Sequence, residues 1–313
     1  PALTRLLAVG VSVTGMLMLV LMTRWGLGTS PDSVQYVRAA RHLLDGPQSG
    51  SVAAGHDSSL AHFAPLYVAL LAAGRLVSLD PLEWARWLNV VLFGLNILVV
   101  GILVRRATTN LSWLWVAASL LMMGSLPVLV VHLTVLSEPV FLLLSLLGFH
   151  LLADYLDTSK ERALFGATLA MGLALLTRYA GAACILTGGV AILLWSQTSF
   201  RRRVRDVCAF GFGSSLPMFV WMLRNFAAGG AATDREFLFH PIGRSHLWQA
   251  LYTASGWSLI PAFAPDAVRV ALGVAMFGGM VTALARPGIP SIVRVPALFV
   301  AVYSAFLATS ISF

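Results

Sequence analysis

Long apolar runs separated by short basic turns dominate the pattern of this 313-residue chain. The runs are Leu6 to Leu27, Trp87 to Val104, Leu111 to Val131, Val140 to Ala153, Ala163 to Thr177, Ala182 to Trp195, Val207 to Phe226, Ala267 to Ala285 and Val295 to Phe313. Roughly 20 apolar residues wound as an α-helix match about 30 Å of hydrocarbon, so the pattern predicts an all-α polytopic membrane protein with about nine transmembrane helices. Phe63 to Leu79 is also apolar, but Pro65, Gly74 and Arg75 interrupt it, and it reads as juxtamembrane.

Thr29 to Gly46 breaks this pattern. A helix starting near Asp32 would place Tyr36, Ala39, Ala40 and Leu43 on one apolar stripe, with Arg38, Arg41 and Asp45 opposite. That is the signature of a helix lying on a membrane surface. Asp32 projects at about the angle of Tyr36 and Leu43, which puts a carboxylate at the mouth of the bundle. Following Pro31, it is equally well read as an N-cap, and both readings stay open at this point.

Charge decides the sidedness. Each crossing moves the next loop to the opposite face, so leaving Phe63 to Leu79 out of the count gathers Arg105 and Arg106, Lys160 and Arg162, Arg201 to Arg205, and Arg286 with Arg294 on one side. That side is expected to be cytoplasmic. The outer face then receives a first loop, residues 28–87, with its juxtamembrane helices, the junction His132 to Glu138, the turn Arg178 to Gly181, and a second large loop, residues 227–265. Trp84, Trp87, Trp248 and Trp257 fall where an outer aromatic belt is expected.

Composition agrees with this reading. With 58% hydrophobic and only 11% charged residues, the chain has too much apolar surface for one soluble core. The net charge of +8 does not imply nucleic acid, because the arginines sit in short runs between apolar stretches. Cys184 and Cys208 flank a basic loop and imply no disulfide framework. The first run lacks a clear small-residue cleavage site and reads as a retained anchor. The last run ends without a polar flank, so the chain is expected to be a fragment of a longer protein. Residues 1–313 read as a single membrane-embedded module.

Candidate chemistry lies on the outer side. Glu138 opens the fourth run beside Pro139; it is either favoured locally at a helix N-terminus or functional, since an ionised group at the edge of hydrocarbon is costly. Arg178, next to Tyr179, closes the fifth run, and Arg224 closes the seventh. Each can snorkel to headgroups. Two arginines near two carboxylates also make a site for a phosphorylated lipid, because guanidinium binds phosphate oxygens bidentately. His56, Asp57 and His62 share a loop, with His132 and His240 on the same face, but no spacing matches a metal-ligand pattern. Asn89 and Asn96, on one face of the second span, read as interhelical hydrogen-bonding residues.

Taken in order, several motifs resemble the membrane-embedded C-type (GT-C) glycosyltransferases, near the protein O-mannosyltransferase and aminoarabinose transferase branch. They are Asp32 with Tyr36, Ala40 and Gly46; His62-Phe63-Ala64-Pro65-Leu66-Tyr67; Ser137-Glu138-Pro139; Leu176-Thr177-Arg178-Tyr179; and Trp221-Met222-Leu223-Arg224-Asn225. The resemblance implies transfer of a sugar from a polyprenyl-phosphate-linked donor to a lipid, glycan or protein acceptor, at the outward face of a bacterial inner (plasma) membrane. It implies Asp32 as catalytic base, Glu138 as a supporting acid, and Arg178 as a donor-phosphate contact. Tyr36, His62, Tyr67, Tyr179 and Arg224 are expected to line the substrate site. No cofactor and no nucleic acid are expected, and a divalent metal is left open. Ala64 departs from the family pattern, where a second proline is common, and the later spans and terminal domain of relatives are absent. A transporter or flippase, or a non-catalytic scaffold subunit, is the alternative.

Overall fold

The computed structural model describes residues 2–45, 63–108, 111, 113–227, 237–238, 243–245, 248, 252, 255, 264–309 and 311–312. Helix α1 (Ala2–Met22) leads to α2 (Pro31–Asp45), and α3 (Pro65–Ala72) runs into a 3-10 turn, Ala73–Val77. Then follow α4 (Pro81–Ala107), α5 (Leu114–Gly124), α6 (Leu126–His132), α7 (Glu138–Thr158), α8 (Glu161–Thr177), α9 (Gly181–Trp195), α10 (Phe200–Ala227), α11 (Asp266–Ala285) and α12 (Ser291–Thr309). Among the described residues the only strands are β1 (Phe237–Leu238) and β2 (Ile311–Ser312), which pair antiparallel.

The chain is an α-helical, multi-pass membrane protein, and each of the nine apolar runs overlaps a helix. Four helices, α4, α7, α10 and α11, are long and apolar enough to cross a bilayer, and α5 with α6 makes a fifth if the bent pair is one span. The expected nine spans are therefore not reached on length and composition. Residues 6–22 of α1, α9, and residues 291–306 of α12 are apolar but shorter, and α8 has 17 residues. The run predicted as one span over Leu111 to Val131 is broken, with a 58° bend between α5 and α6. Ser125 is extended there, and the ring of Pro127 would clash with the carbonyl four residues back in a continuous helix. The apolar segment Pro65–Val77 is also short, in keeping with its juxtamembrane reading.

One core joins α7, α8, α9 and α10 through Phe149, Leu152, Tyr155, Met171, Ile192 and Phe210. Helices α8 and α10 meet almost backbone to backbone, since a methyl group on Gly172 would sit 2.9 Å from the Ser214 carbonyl oxygen. Such close approach at small residues is how helices associate where lipid supplies no hydrophobic drive. A second core lays α2 and α3 across α4 and the start of α7, through Tyr36, Ala39, Ala40, Phe63, Tyr67, Leu71, Leu92, Val135 and Val140.

Helix α2 differs from its predicted geometry in two respects. Its buried face contains Ser33, Tyr36, Ala39 and Ala40, while Leu43 is 54% exposed and Asp32 lies off that face, in the exposed first turn. Nor is Asp32 the N-cap. The Ser33 amide donates to Ser30 Oγ at 3.2 Å and the Ser30 amide donates to Ser33 Oγ at 2.9 Å, a reciprocal cap centred on Ser30. Gly46 lies outside the described residues, as do most of the predicted 227–265 loop and residues 46–62 of the first loop.

Candidate active site

The junction between α6 and α7 carries the site, and three elements tie it down. The Gly28 amide donates to the Leu133 carbonyl at 2.8 Å, and the Val135 amide donates to the Gly28 carbonyl at 3.2 Å. Ser33 Oγ, from α2, donates to the Val135 carbonyl at 2.8 Å. From α4, Asn89 Nδ2 donates to the carbonyls of His132 and Thr134, each at 2.9 Å. One heptad later, Asn96 Nδ2 donates to the Pro139 carbonyl at 3.1 Å and lies 3.2 Å from His132 Nε2. The expected interhelical role of the two asparagines is thus observed, and their backbone partners are carbonyls at the junction of α6 and α7. His132 is a satisfied core side chain: its Nδ1 is 2.7 Å from the Val128 carbonyl, which only an N–H can face, leaving Nε2 to accept from Asn96.

This scaffold sets Glu138 at the first turn of α7, facing the residue that follows α8. Arg178 Nη1 is 2.7 Å from Glu138 Oε1 and donates to Ser137 Oγ at 3.1 Å. Ser137 Oγ is in turn 3.1 Å from the Tyr36 hydroxyl. The Tyr36 ring packs on Phe63, with centroids 4.3 Å apart, and meets Tyr67 edge-on at 4.9 Å. Arg178 and Glu138 are each about one-third exposed, at 33% and 32% of the side chain, so the pair sits at an opening of the bundle.

Burial holds the Tyr36 hydroxyl above the ordinary tyrosine pKa. The Ser137 bond and the Arg178 charge pull it down, and the Glu138 and Asp32 carboxylates push it up again. Tyr67 is raised further, first by burial and then by Tyr36 and Glu138. Both phenols are therefore neutral hydrogen-bonding groups at physiological pH. The Tyr67 hydroxyl and Glu138 Oε2 are buried with no hydrogen-bond partner among the described residues. A donor and an acceptor left unmet, the acceptor on the carboxylate that pairs with Arg178, can take a polar ligand without first breaking protein contacts.

Tyr36, Tyr67, Glu138 and Arg178 are thus brought together. Asp32 makes no hydrogen bond or ion pair among the described residues, and it is near enough for its charge to act on Tyr36. Tyr179 packs with Trp221 around Ala64, Leu175 and Met218 beside the site. Arg224 does not join the ion pair: it stacks over the Trp221 ring at 4.9 Å and bonds Asn225 Oδ1 at 3.1 Å. His62 lies outside the described residues.

Two participants escaped the sequence reading. Ser137, seen only as part of a motif, is the hub between Tyr36 and Arg178. Tyr303 of α12 lies within electrostatic range of Arg178 and Glu138; an apolar run hides it, and no sequence signal marks it. Among the described residues no three His, Cys, Asp or Glu side chains converge as metal ligands, so no residue is assigned to a metal.

Compared with models of known protein families and with curated proteins, the chain matches none.

Proposed function

We propose that this chain is the catalytic module of a membrane glycosyltransferase that moves a sugar from a polyprenyl-phosphate donor to an acceptor hydroxyl or amine on the outer face. In this reading all nine apolar runs cross the membrane, the short ones inclined or within a locally thinned bilayer, and the Arg178 end faces outward. The observation that carries the proposal is the Ser137-Glu138-Arg178 constellation, a guanidinium held at the bundle opening by a carboxylate whose second oxygen is buried and unmet.

In the proposed reaction the acceptor oxygen or nitrogen bonds to the anomeric carbon while the bond from that carbon to the phosphate oxygen breaks. The phosphate leaves with the electron pair, and Asp32 takes the acceptor proton. Arg178 stabilises the charge gathering on the departing phosphate, and Glu138 with Ser137 holds the guanidinium in place before the donor arrives. A lipid phosphate is already a capable leaving group, so a base and a cation supply most of what the step needs. A transporter would place ionisable groups near mid-bilayer. Here Arg178–Glu138 and Arg106–Asp157 sit instead at helix ends, which favours the enzyme.

The test is Asp32→Asn in protein reconstituted with a labelled polyprenyl-phosphate sugar. Because Ser30 caps α2, the amide leaves the helix intact, and loss of the base should cut turnover by about 10² to 10⁴ while donor binding persists. Near-normal turnover by Asp32→Asn removes Asp32 from the chemistry.

A further inference from the structure

At the other end of α8 a groove of about 480 Å³ opens between α8 and α10. Its apolar walls are Leu164, Phe165 and Leu169 on one helix and Ala209, Phe210 and Gly213 on the other. Phe165 is 71% exposed and Leu169 54% exposed, so the groove opens outward, and for helices embedded in a bilayer the outside is lipid. Its mouth is charged and carries both signs. Arg205 Nη2 is 3.2 Å from Glu161 Oε1, and Arg205 Nε donates to Asp206 Oδ1 at 2.9 Å. Asp206 is closed off, since its other oxygen accepts the Tyr155 hydroxyl at 2.5 Å. Arg205 Nη1 and Glu161 Oε2 have no hydrogen bond among the described residues, and both side chains are largely exposed.

The geometry points to a phospholipid site whose headgroup is phosphatidylethanolamine, with one acyl chain in the groove. The free guanidinium N–H meets the phosphate, and the free carboxylate oxygen meets the primary ammonium. Glu161 opens α8 and Arg205 lies in the second turn of α10, so this mouth is at headgroup level whichever face of the membrane it occupies. The pairing discriminates on chemistry. A quaternary choline has no N–H to donate to Glu161, and a glycerol headgroup offers its free carboxylate oxygen only uncharged hydroxyl donors. Lys160 and Arg162, beside Glu161, favour any anionic lipid, so a preference for ethanolamine over glycerol reports on Glu161.

The experiment is native mass spectrometry of the full chain released from nanodiscs holding equal amounts of phosphatidylethanolamine, phosphatidylglycerol and phosphatidylcholine with identical acyl chains. One phosphatidylethanolamine should stay bound per chain, favoured about fivefold over each of the others, as one extra surface charge contact implies. Glu161→Gln should erase that preference. Ala209→Trp, which fills the groove without touching the charges, should abolish retention of all three. Retention of no lipid by the native chain, or of phosphatidylglycerol as well as phosphatidylethanolamine, overturns the proposal; this headgroup comparison needs no variant. Undiminished retention by a folded Ala209→Trp chain overturns it too.

Discussion

The two ends of α8 carry ion-pair clusters that look alike on paper and differ in how their hydrogen-bonding capacity is used. At the C-terminal end Arg178 meets Glu138 and Ser137, and a buried carboxylate oxygen and a buried phenol remain unmet. About 25 Å away along the helix, Asp206 is 2% exposed, and both its oxygens are taken by Tyr155 and Arg205, with Arg202 a further 3.6 Å off. A buried charge survives only when compensated, so the Asp206 network is explained by folding alone. The unmet carboxylate oxygen and phenol at the Arg178 end cost stability without a ligand, and the proposed substrate site rests on that cost. At the Arg205 end one buried group, Arg202 Nε, is also unmet, 3.6 Å from Asp206, and the remaining capacity lies on the exposed rim, where the proposed lipid headgroup would reach it.

The contrast predicts opposite signatures for arginine and tyrosine substitutions at the two ends. Arg178→Ala should weaken binding of a polyprenyl-phosphate donor by about 10- to 150-fold, the equivalent of about 1.5 to 3 kcal/mol for a charge-assisted contact. Arg178→Lys should recover only part, because a point charge loses the planar fork. Donor titration against the reconstituted protein measures both, and unchanged affinity in the alanine variant would leave this end no different from the other.

Tyr155→Phe is the matching cut at the basic end. It strips the hydroxyl from a buried carboxylate, and should destabilise the bundle by about 1 to 2 kcal/mol, between the modest average for hydrogen bonds in membrane helices and the larger value for bonds to charged groups. Donor affinity should not move. A thermal shift with unaltered binding sustains the division; a loss of binding at constant stability would show that the ends communicate.

Tyr67→Phe should behave in reverse. The hydroxyl it removes has no partner, so stability should stay within about 0.5 kcal/mol or rise, while substrate KM increases. Alkaline behaviour offers a second readout. Burial raises the folded-state pKa of Tyr67 above its unfolded value, so its stabilising contribution is complete below the unfolded pKa, about 10, and is lost as pH climbs beyond it. Tyr67→Phe should therefore unfold less readily than the native chain in a pH series above about 10. A marked drop in melting temperature at neutral pH would mean that the hydroxyl is satisfied and the site less open than its geometry indicates.

What the sequence discloses divides along physical lines. Helix positions were legible because apolar runs of this length have few alternatives in lipid. The number of spans was not, because Pro127 breaks one run and several others fall short of bilayer length. The surface helix was legible from its 3.6-residue stripe, yet its rotation was not. Ser33 is small and polar, so an apolar stripe does not mark it, whereas its hydroxyl caps the helix and anchors Val135. Glu138 and Arg178 were visible as costly charges at span ends, while their 2.7 Å pairing depends on helix packing that no local pattern encodes. Tyr303 had no signal at all.

Arg224 supplies the smallest and most discriminating cut. By sequence it and Arg178 are twins, each closing an apolar run beside an aromatic residue, and both were expected to bind donor phosphate. The structure separates them: Arg178 is part of the ion pair, while Arg224 is exposed, stacked on Trp221 and bonded to its neighbour Asn225. An exposed arginine stacked over a ring is worth about 0.5 to 1 kcal/mol. Arg224→Ala should thus lower donor affinity by no more than about fivefold, with no loss of turnover at saturating donor. The Arg178→Ala, Arg224→Ala double variant should match the sum of the singles within about 0.5 kcal/mol, as expected for sites that share no partner. Coupling well beyond that would place both guanidinia on one phosphate and move the boundary of the site outward to Trp221.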